Sequence, residues 1–251
     1  YNIAVQRFNV DYSASVGSYI STDAQGDWWG GLGGGTVAHA AIAAFLGDTV
    51  ECMLAFSETR PVEIPRIALI DFDNDSVGTT LALMDAMFAR FAELTDAGQT
   101  EEALRYKLFA VRPDTSGTQR DASVLPLGDP ALDLGVTPRL VFNLRKAIDE
   151  AWQRWELAPE WQERAQQWCH DVRIVVTGGF GPRKIRHFEQ LSVPVDIYGV
   201  GSSLFSNSSE EGTNNDFTAD IVRVRVHGKW INMSKIGRQA CSNPDFEPIT
   251  F

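Results

Sequence analysis

The spacing of apolar positions changes several times along the chain, and each change marks an element. Val37 to Leu46 is Ala-rich and apolar and predicts a buried helix ended by Gly47. Pro65 precedes Arg66-Ile67-Ala68-Leu69-Ile70-Asp71, a short apolar run ending in an acid, which predicts a fully buried strand. Over residues 76–97, Leu81, Met84, Met87, Phe88 and Phe91 recur at helical spacing, so a long amphipathic helix is expected there. Lys107 to Val111 predicts a second strand, and residues 137–153 and 159–169 predict helices. Val172 to Gly179 and Val195 to Gly201 predict two more strands, each running into glycines. From Asp220 to Met233 apolar and polar residues alternate around His227-Gly228-Lys229, the pattern of an antiparallel hairpin.

Strand, polar or Gly-rich loop, helix, strand is the alternation of parallel α/β packing. Strands that are apolar throughout fit a sheet covered on both faces. Residues 1–35 show little periodicity and end in Gly30-Gly31-Leu32-Gly33-Gly34-Gly35. That run could line the mouth of a site or act as a flexible connector, and composition favours the connector. The expected division is therefore a connector or domain remnant over 1–35 and one α/β domain over 36–251. Residues 206–216, rich in Ser, Asn and Glu, are the expected mobile loop.

A chain of 251 residues can bury a large single core. Its net charge of −11 argues against a nucleic-acid partner, since a phosphate backbone demands clustered Lys and Arg. Small anions are still open to it, because backbone N–H groups and a few placed cations can hold a phosphate. Cys52, Cys169 and Cys241 lack any ligand spacing and read as buried thiols. No apolar run approaches the ~20 residues of a membrane span. Without an initiator Met or a basic-then-apolar leader, Tyr1 onward reads as a processed or truncated cytoplasmic chain.

In parallel α/β proteins chemistry gathers at the carboxyl ends of the strands. Here that rule selects Asp71 to Asp75, Arg112 to Ser116, Thr177 to Phe180 and Gly199 to Ser203. Gly178-Gly179 and Gly199-Val200-Gly201-Ser202 follow consecutive strands, an arrangement that can cradle a phosphate or simply turn the chain. Arg112 and Asp114 stand two residues apart, so an extended backbone aims both to one side. The Arg could clamp a phosphate or cover a planar ring. The Asp could accept from ribose hydroxyls or hold Mg²⁺ through water, and a strand-capping ion pair is the plainer reading of the two. Of Asp71, Asp73 and Asp75, only Asp71 is kept as a site candidate, with Asp75 expected as a helix N-cap. His39 lies on the apolar helix after the glycine run, where spacing alone makes it a hydrogen-bonded core residue. His170, His187 and His227 sit in polar surroundings and are expected to be exposed.

In order, these pieces resemble the nicotinate phosphoribosyltransferase family of type II phosphoribosyltransferases. Gly35-Thr36-Val37-Ala38-His39 resembles the segment bearing the family's phosphorylatable histidine, and Ala68-Leu69-Ile70-Asp71 the strand after it. Val111-Arg112-Pro113-Asp114-Thr115-Ser116-Gly117 resembles its Arg-x-Asp-Ser-Gly stretch, closer still to the Arg-Pro-Asp of the nicotinamide enzymes. Val176-Thr177-Gly178-Gly179-Phe180 and Tyr198-Gly199-Val200-Gly201-Ser202 resemble its two phosphate loops. Trp230-Ile231-Asn232-Met233-Ser234-Lys235 is similar to a Lys-x-Ser-x-Lys hairpin, with Asn232 where Lys is usual. The resemblance spans about residues 35–240.

The resemblance implies an irregular parallel α/β barrel with a C-terminal hairpin. It also implies an enzyme of NAD salvage that joins nicotinate to phosphoribosyl pyrophosphate, releasing pyrophosphate. His39 and Asp114 would be its catalytic residues, His39 taking a phosphoryl group from ATP and Asp114 serving the ribose hydroxyls or Mg²⁺. Arg112, Thr36, Ser116 and Asp71 would contact substrate, and Gly178, Gly179, Gly199, Gly201 and Ser202 would hold the phosphate. Mg²⁺, ATP and a homodimer are implied with it, and no direct metal ligand set. Thr115 is inserted before Ser116-Gly117 and Thr118 replaces the usual acid. The family's N-terminal domain, which covers the barrel mouth, has no counterpart here, so the fragment alone could lack activity. A nicotinamide-using relative and a non-catalytic phosphate-binding or assembly domain are the competing readings.

Overall fold

The computed structural model describes residues 37–200 and 220–240. Thr36, Gly201 and Ser202, the glycine run, the 206–216 loop and Cys241 lie outside the described residues. Helix α1 (His39–Ala44) is followed by a turn in which Gly47 takes φ +90°, and α2 (Thr49–Thr59) is N-capped by Asp48, which accepts from Glu51 N at 2.9 Å. Strand β1 (Arg66–Leu69) leads to α3 (Ser76–Asp96), capped by Asp75 accepting from Gly78 N at 3.0 Å, as expected. Next come α4 (Thr100–Leu104), β2 (Leu108–Arg112) and the short α5 (Pro130–Asp133). Helix α6 (Pro138–Glu150) opens with Thr137 as N-cap and Pro138 at its first position, then tightens into a 3₁₀ turn over Ala151–Arg154. Helix α7 (Pro159–His170), β3 (Arg173–Val176), α8 (Pro182–Gln190) and β4 (Ile197–Tyr198) follow. The antiparallel hairpin of β5 (Arg223–Val226) and β6 (Lys229–Asn232) turns at His227-Gly228, both with positive φ.

The first four strands form one sheet in the order β1-β2-β3-β4, every pair parallel. Consecutive order is the winding of a barrel arc, whereas a doubly wound sheet reverses at a switch point. Among the described residues the sheet stays open, with β1 and β4 at its edges, so these strands do not form the closed barrel that the resemblance implied. Mixed α/β with a parallel sheet is what the fold shows.

Helix α3 packs on both α2 and α6, and α2 and α3 pack on the sheet. Leu83, Met84 and Met87 are fully buried, each contributing about 1.5–3 kcal/mol of apolar transfer. Phe88 stacks on Trp155 at 4.2 Å and meets Trp161 and Trp168 edge-on. Asp85 and Asp96 accept the indole N–H groups of Trp155 and Trp161, leaving the apolar faces to the core. A smaller cluster of Ile67, Ala110 and Val175 is separate from this core.

Helices α2 and α8 have no expectation in the apolar pattern. Cys52 and Met53 are buried on α2, but Thr49, Glu51 and Ser57 around them blur the period. On α8 only Phe188 is buried, so almost nothing apolar repeats.

Candidate active site

Strand register sets the site. Leu69 of β1 pairs with Arg112 of β2, so the chain leaves both strands at the same level and Asp71 comes out beside Asp114. Thr177, just past β3, joins them by donating its N–H to Pro113 O at 3.3 Å. Three carboxyl ends from distant sequence thereby meet at one end of the sheet.

Two further segments close over this end. His39, on α1, places Nε2 3.1 Å from Asp71 Oδ1, and its side chain is 18% exposed. Lys235, just past β6, donates Nζ to Asp71 Oδ2 and to Asp114 O, the latter at 2.9 Å. The hairpin is held down by Ile236 N donating to Phe72 O at 3.0 Å. Gly47 lets it approach, since a Cβ there would stand 3.3 Å from both Met233 Sδ and the Phe72 ring.

Asp71 is wholly buried between a lysine and a histidine. Burial pushes its carboxyl up, but the His39 hydrogen bond and the Lys235 charge together outweigh that and hold it below the usual carboxylate range. An ionised Asp71 accepts from Nε2–H of His39, which leaves Nδ1 as the ring's second nitrogen. Among the described residues Nδ1 has no hydrogen bond. This is the orienting carboxylate–imidazole relation that makes a histidine a nucleophile or base.

Arg112 is a brace. Nη1 donates to Thr177 Oγ1 at 3.0 Å and stands 3.9 Å from Asp114 Oδ2, while Nη2 donates to Val37 O at 3.0 Å. The guanidinium therefore ties the ends of β2 and β3 to the start of α1, and its buried Nε–H is left without a partner. Burial pulls Arg112 below its ordinary value, against the opposing pull of Asp114 and Asp71. Thr177 passes the chain on by donating to Asp114 Oδ1 at 2.7 Å.

The glycines divide into two kinds. Gly178 and Gly179 have φ of +91° and +68°, and among the described residues neither N–H is used. A Cβ on Gly178 would press on Asp114 Oδ1 at 3.4 Å, whereas one on Gly179 would meet open space. Gly199 differs from its sequence reading as a phosphate holder. Its N–H is committed to Val176 O at 2.8 Å, and a Cβ would lie 2.5 Å from Thr177 Cγ2, so it is required for close packing against β3.

Ser116 turns away from this group. Its hydroxyl sits 3.1 Å from Thr118 Oγ1 and closes its own turn. Thr115 behind it is buried, with Oγ1 unpartnered.

Three contributors carried little signal in the sequence. Lys235 ends the Ser234-Lys235 hairpin motif, whose role became visible only with Asp71 beside it. Buried Asp121 accepts from the N–H and hydroxyl of both Ser76 and Ser123, fastening the loop after Asp114 to the start of α3. Lys184, in the first turn of α8, donates to Gly178 O at 3.1 Å. His170, His187 and His227 are exposed, and Cys52 and Cys169 are buried free thiols.

No family model matches the chain, and no curated protein does. Among solved structures it is similar to the nicotinate-nucleotide pyrophosphorylase from Pyrococcus furiosus, at 26% identity over 88% of this chain, with a TM-score of 0.48. The chain spans 42% of that protein's length. Among the described residues no helix is long and apolar enough to cross a membrane.

Proposed function

We propose that the chain is the catalytic portion of a phosphoribosyltransferase, forming nicotinate mononucleotide and pyrophosphate from nicotinate and phosphoribosyl pyrophosphate. ATP is a co-substrate in this reading, coupled through phosphorylation of His39. The observation that carries it is the meeting of an Asp-oriented histidine, an Arg-Asp pair and an unsatisfied Gly-Gly turn at one end of a parallel sheet.

The residues divide the work. His39 Nδ1, with Nε2 held by Asp71, attacks the γ-phosphorus of ATP, and ADP leaves as the N–P bond forms. The Lys235 charge keeps Asp71 ionised, so the imidazolium formed on the way is stabilised. Asp114 keeps its Oδ2 edge toward solvent for ribose hydroxyls while Thr177 fixes Oδ1. The Gly178 and Gly179 N–H groups donate to the ribose 5-phosphate. Arg112, with its terminal nitrogens engaged, brings its positive charge toward the pyridine ring or its carboxylate. Alignment of the ring nitrogen with ribose C1 supplies much of the rate.

Mg²⁺ fits only in a limited way. Among the described residues no three His, Cys, Asp or Glu side chains gather around a common point. Asp114 would be a single carboxylate ligand, the rest coming from phosphate oxygens and water, as that ion accepts. When bound it neutralises charge on the pyrophosphate. A homodimer belongs to the same reading.

The test is phosphorylation by γ-labelled ATP followed by turnover with nicotinate and phosphoribosyl pyrophosphate. Acid-labile label that disappears in His39→Gln, together with nicotinate mononucleotide formation, supports the reading. A folded wild type that never takes label and makes no nucleotide sinks it. Arg112-Pro113-Asp114 favours one rival substrate, nicotinamide, whose neutral ring needs no cationic partner, and running both rings side by side decides between them.

A further inference from the structure

Lys184 carries a half-buried positive charge that nothing among the described residues neutralises. Its Nζ donates to Gly178 O at 3.1 Å and lies 4.1 Å from the Phe180 ring centroid and 5.9 Å from that of Phe188. The rings attract a cation but do not neutralise it. Among the described residues no carboxylate pairs with this ammonium, and burial alone pulls it down to about 8. One of three N–H donors is in use.

The ground around it is short of acceptors. Gly178 and Gly179 have successive positive φ angles and unused N–H groups, a backbone concavity suited to an anion. Helix α8 begins three residues beyond Gly179, with Pro182 at its first position and no side-chain cap among the described residues. Space is available, since a Cβ on Gly179 would touch nothing within 4 Å. Arg183, Arg186 and His187 on α8 are exposed, and two further titratable groups near the turn are committed. Tyr198, beside both rings, donates to Glu189 at 2.7 Å, and Asp114, across from Gly178, accepts from Thr177.

We propose that Lys184 is the cationic arm of an oxyanion site on the 178–184 turn, closing on the phosphate group of the substrate together with the Gly178 and Gly179 N–H groups. The inference rests on the phosphate role given to that turn above and adds to it a residue and a proton linkage. Bracing the Gly178 carbonyl occupies one donor and leaves the half-buried ammonium without a counter-charge among the described residues. A dianion compensates it, and the aromatic faces orient the ammonium before the ligand arrives.

The experiment is calorimetric titration of the full chain with ribose 5-phosphate and, separately, sulfate, for wild type, Lys184→Met and Lys184→Arg. Methionine keeps the stem on the rings, and thermal melts establish that each variant is folded. Lys184→Met weakens both ligands about 10- to 100-fold, with Lys184→Arg intermediate. Sulfate does not titrate near pH 8. Its binding there, compared in buffers of different ionisation enthalpy, takes up protons in wild type and not in Lys184→Met. Equal affinity in wild type and Lys184→Met overturns the role of Lys184 and leaves the Gly-Gly turn as the site. Absence of binding to any folded form overturns the turn itself, and the proposal with it.

Discussion

The two ends of β1 each bury a cation, and they do so in opposite ways. At the amino end, Arg66 is 2% exposed and donates to five carbonyls, those of Ser57, Arg60, Pro61, Val62 and Ile64. At the carboxyl end, Lys235 is 5% exposed and is shared between the Asp71 carboxylate and a single carbonyl. The first cation is solvated by fixed dipoles from one short stretch of chain, which it ties into a loop. No proton moves and no donor is offered to a ligand. The second meets a carboxylate and an imidazole, the three groups coming from distant segments, and its charge holds Asp71 ionised beside His39. A buried cation held by carbonyls is a staple, whereas one held by ionisable groups at strand carboxyl ends is poised for chemistry.

The comparison can be broken by substitution. Lys235→Met leaves Asp71 buried without its cation and is expected to cost about 3–5 kcal/mol in denaturant unfolding. Asp71→Asn in the same background should recover a large part of that, and a cost unchanged by the second substitution would deny the pair its energetic role. Arg66→Met frees carbonyls that partly regain water, so about 2–4 kcal/mol is expected, with ATP labelling per folded molecule unchanged. Loss of labelling there would erase the functional contrast between the two ends.

Acid sharpens it further. Because the folded Asp71 carboxyl lies below its ordinary value, its contribution is complete above about pH 4 and is lost as pH falls through the folded value. An acid melt should therefore show a stability loss in wild type that is missing from Asp71→Asn, and no corresponding difference for Arg66→Met. His39→Gln should change stability by less than about 1 kcal/mol while abolishing labelling.

The smallest expected effect belongs to Lys184. Its folded value is depressed to about 8, below the ~10.4 of an unfolded lysine, so the folded state binds fewer protons between them. Wild-type stability relative to Lys184→Met should rise as pH climbs through that window. Below it, at neutral pH, the variant should be slightly the more stable of the two. A pH-independent difference would mean the ammonium is already compensated.

Much of the sheet was legible from apolar runs, because strands buried on both faces leave unbroken hydrophobic stretches. Residues 66–71 and 172–179 contain β1 and β3, 107–111 covers β2 up to Val111 and stops short of Arg112, and β4 is only the middle of 195–201. The hairpin at His227-Gly228 was legible because alternation and a turn signal coincide there. Asp71, Arg112 and Asp114 were legible as strand-end residues. Ser116 and Gly199 were chosen by the same logic, yet one closes its own turn and the other packs on Thr177. Position at a strand end names candidates; it does not say which way a hydroxyl points or whether an N–H is already used.

By itself the sequence determined local conformation: where chain is apolar enough to be a strand, where Asp75 and Thr137 start helices, and where glycine permits a turn. Only the tertiary structure decided which charges meet. His39, Asp71 and Lys235 are separated by 32 and 164 residues, and nothing in local propensity couples them. Their meeting follows from the parallel register of β1 and β2 and from the hairpin docking on Phe72. In the same way, Lys184 is an ordinary helical lysine until folding places it over two aromatic rings. Burial and partnering set the chemistry of an ionisable group, and both are properties of the whole fold.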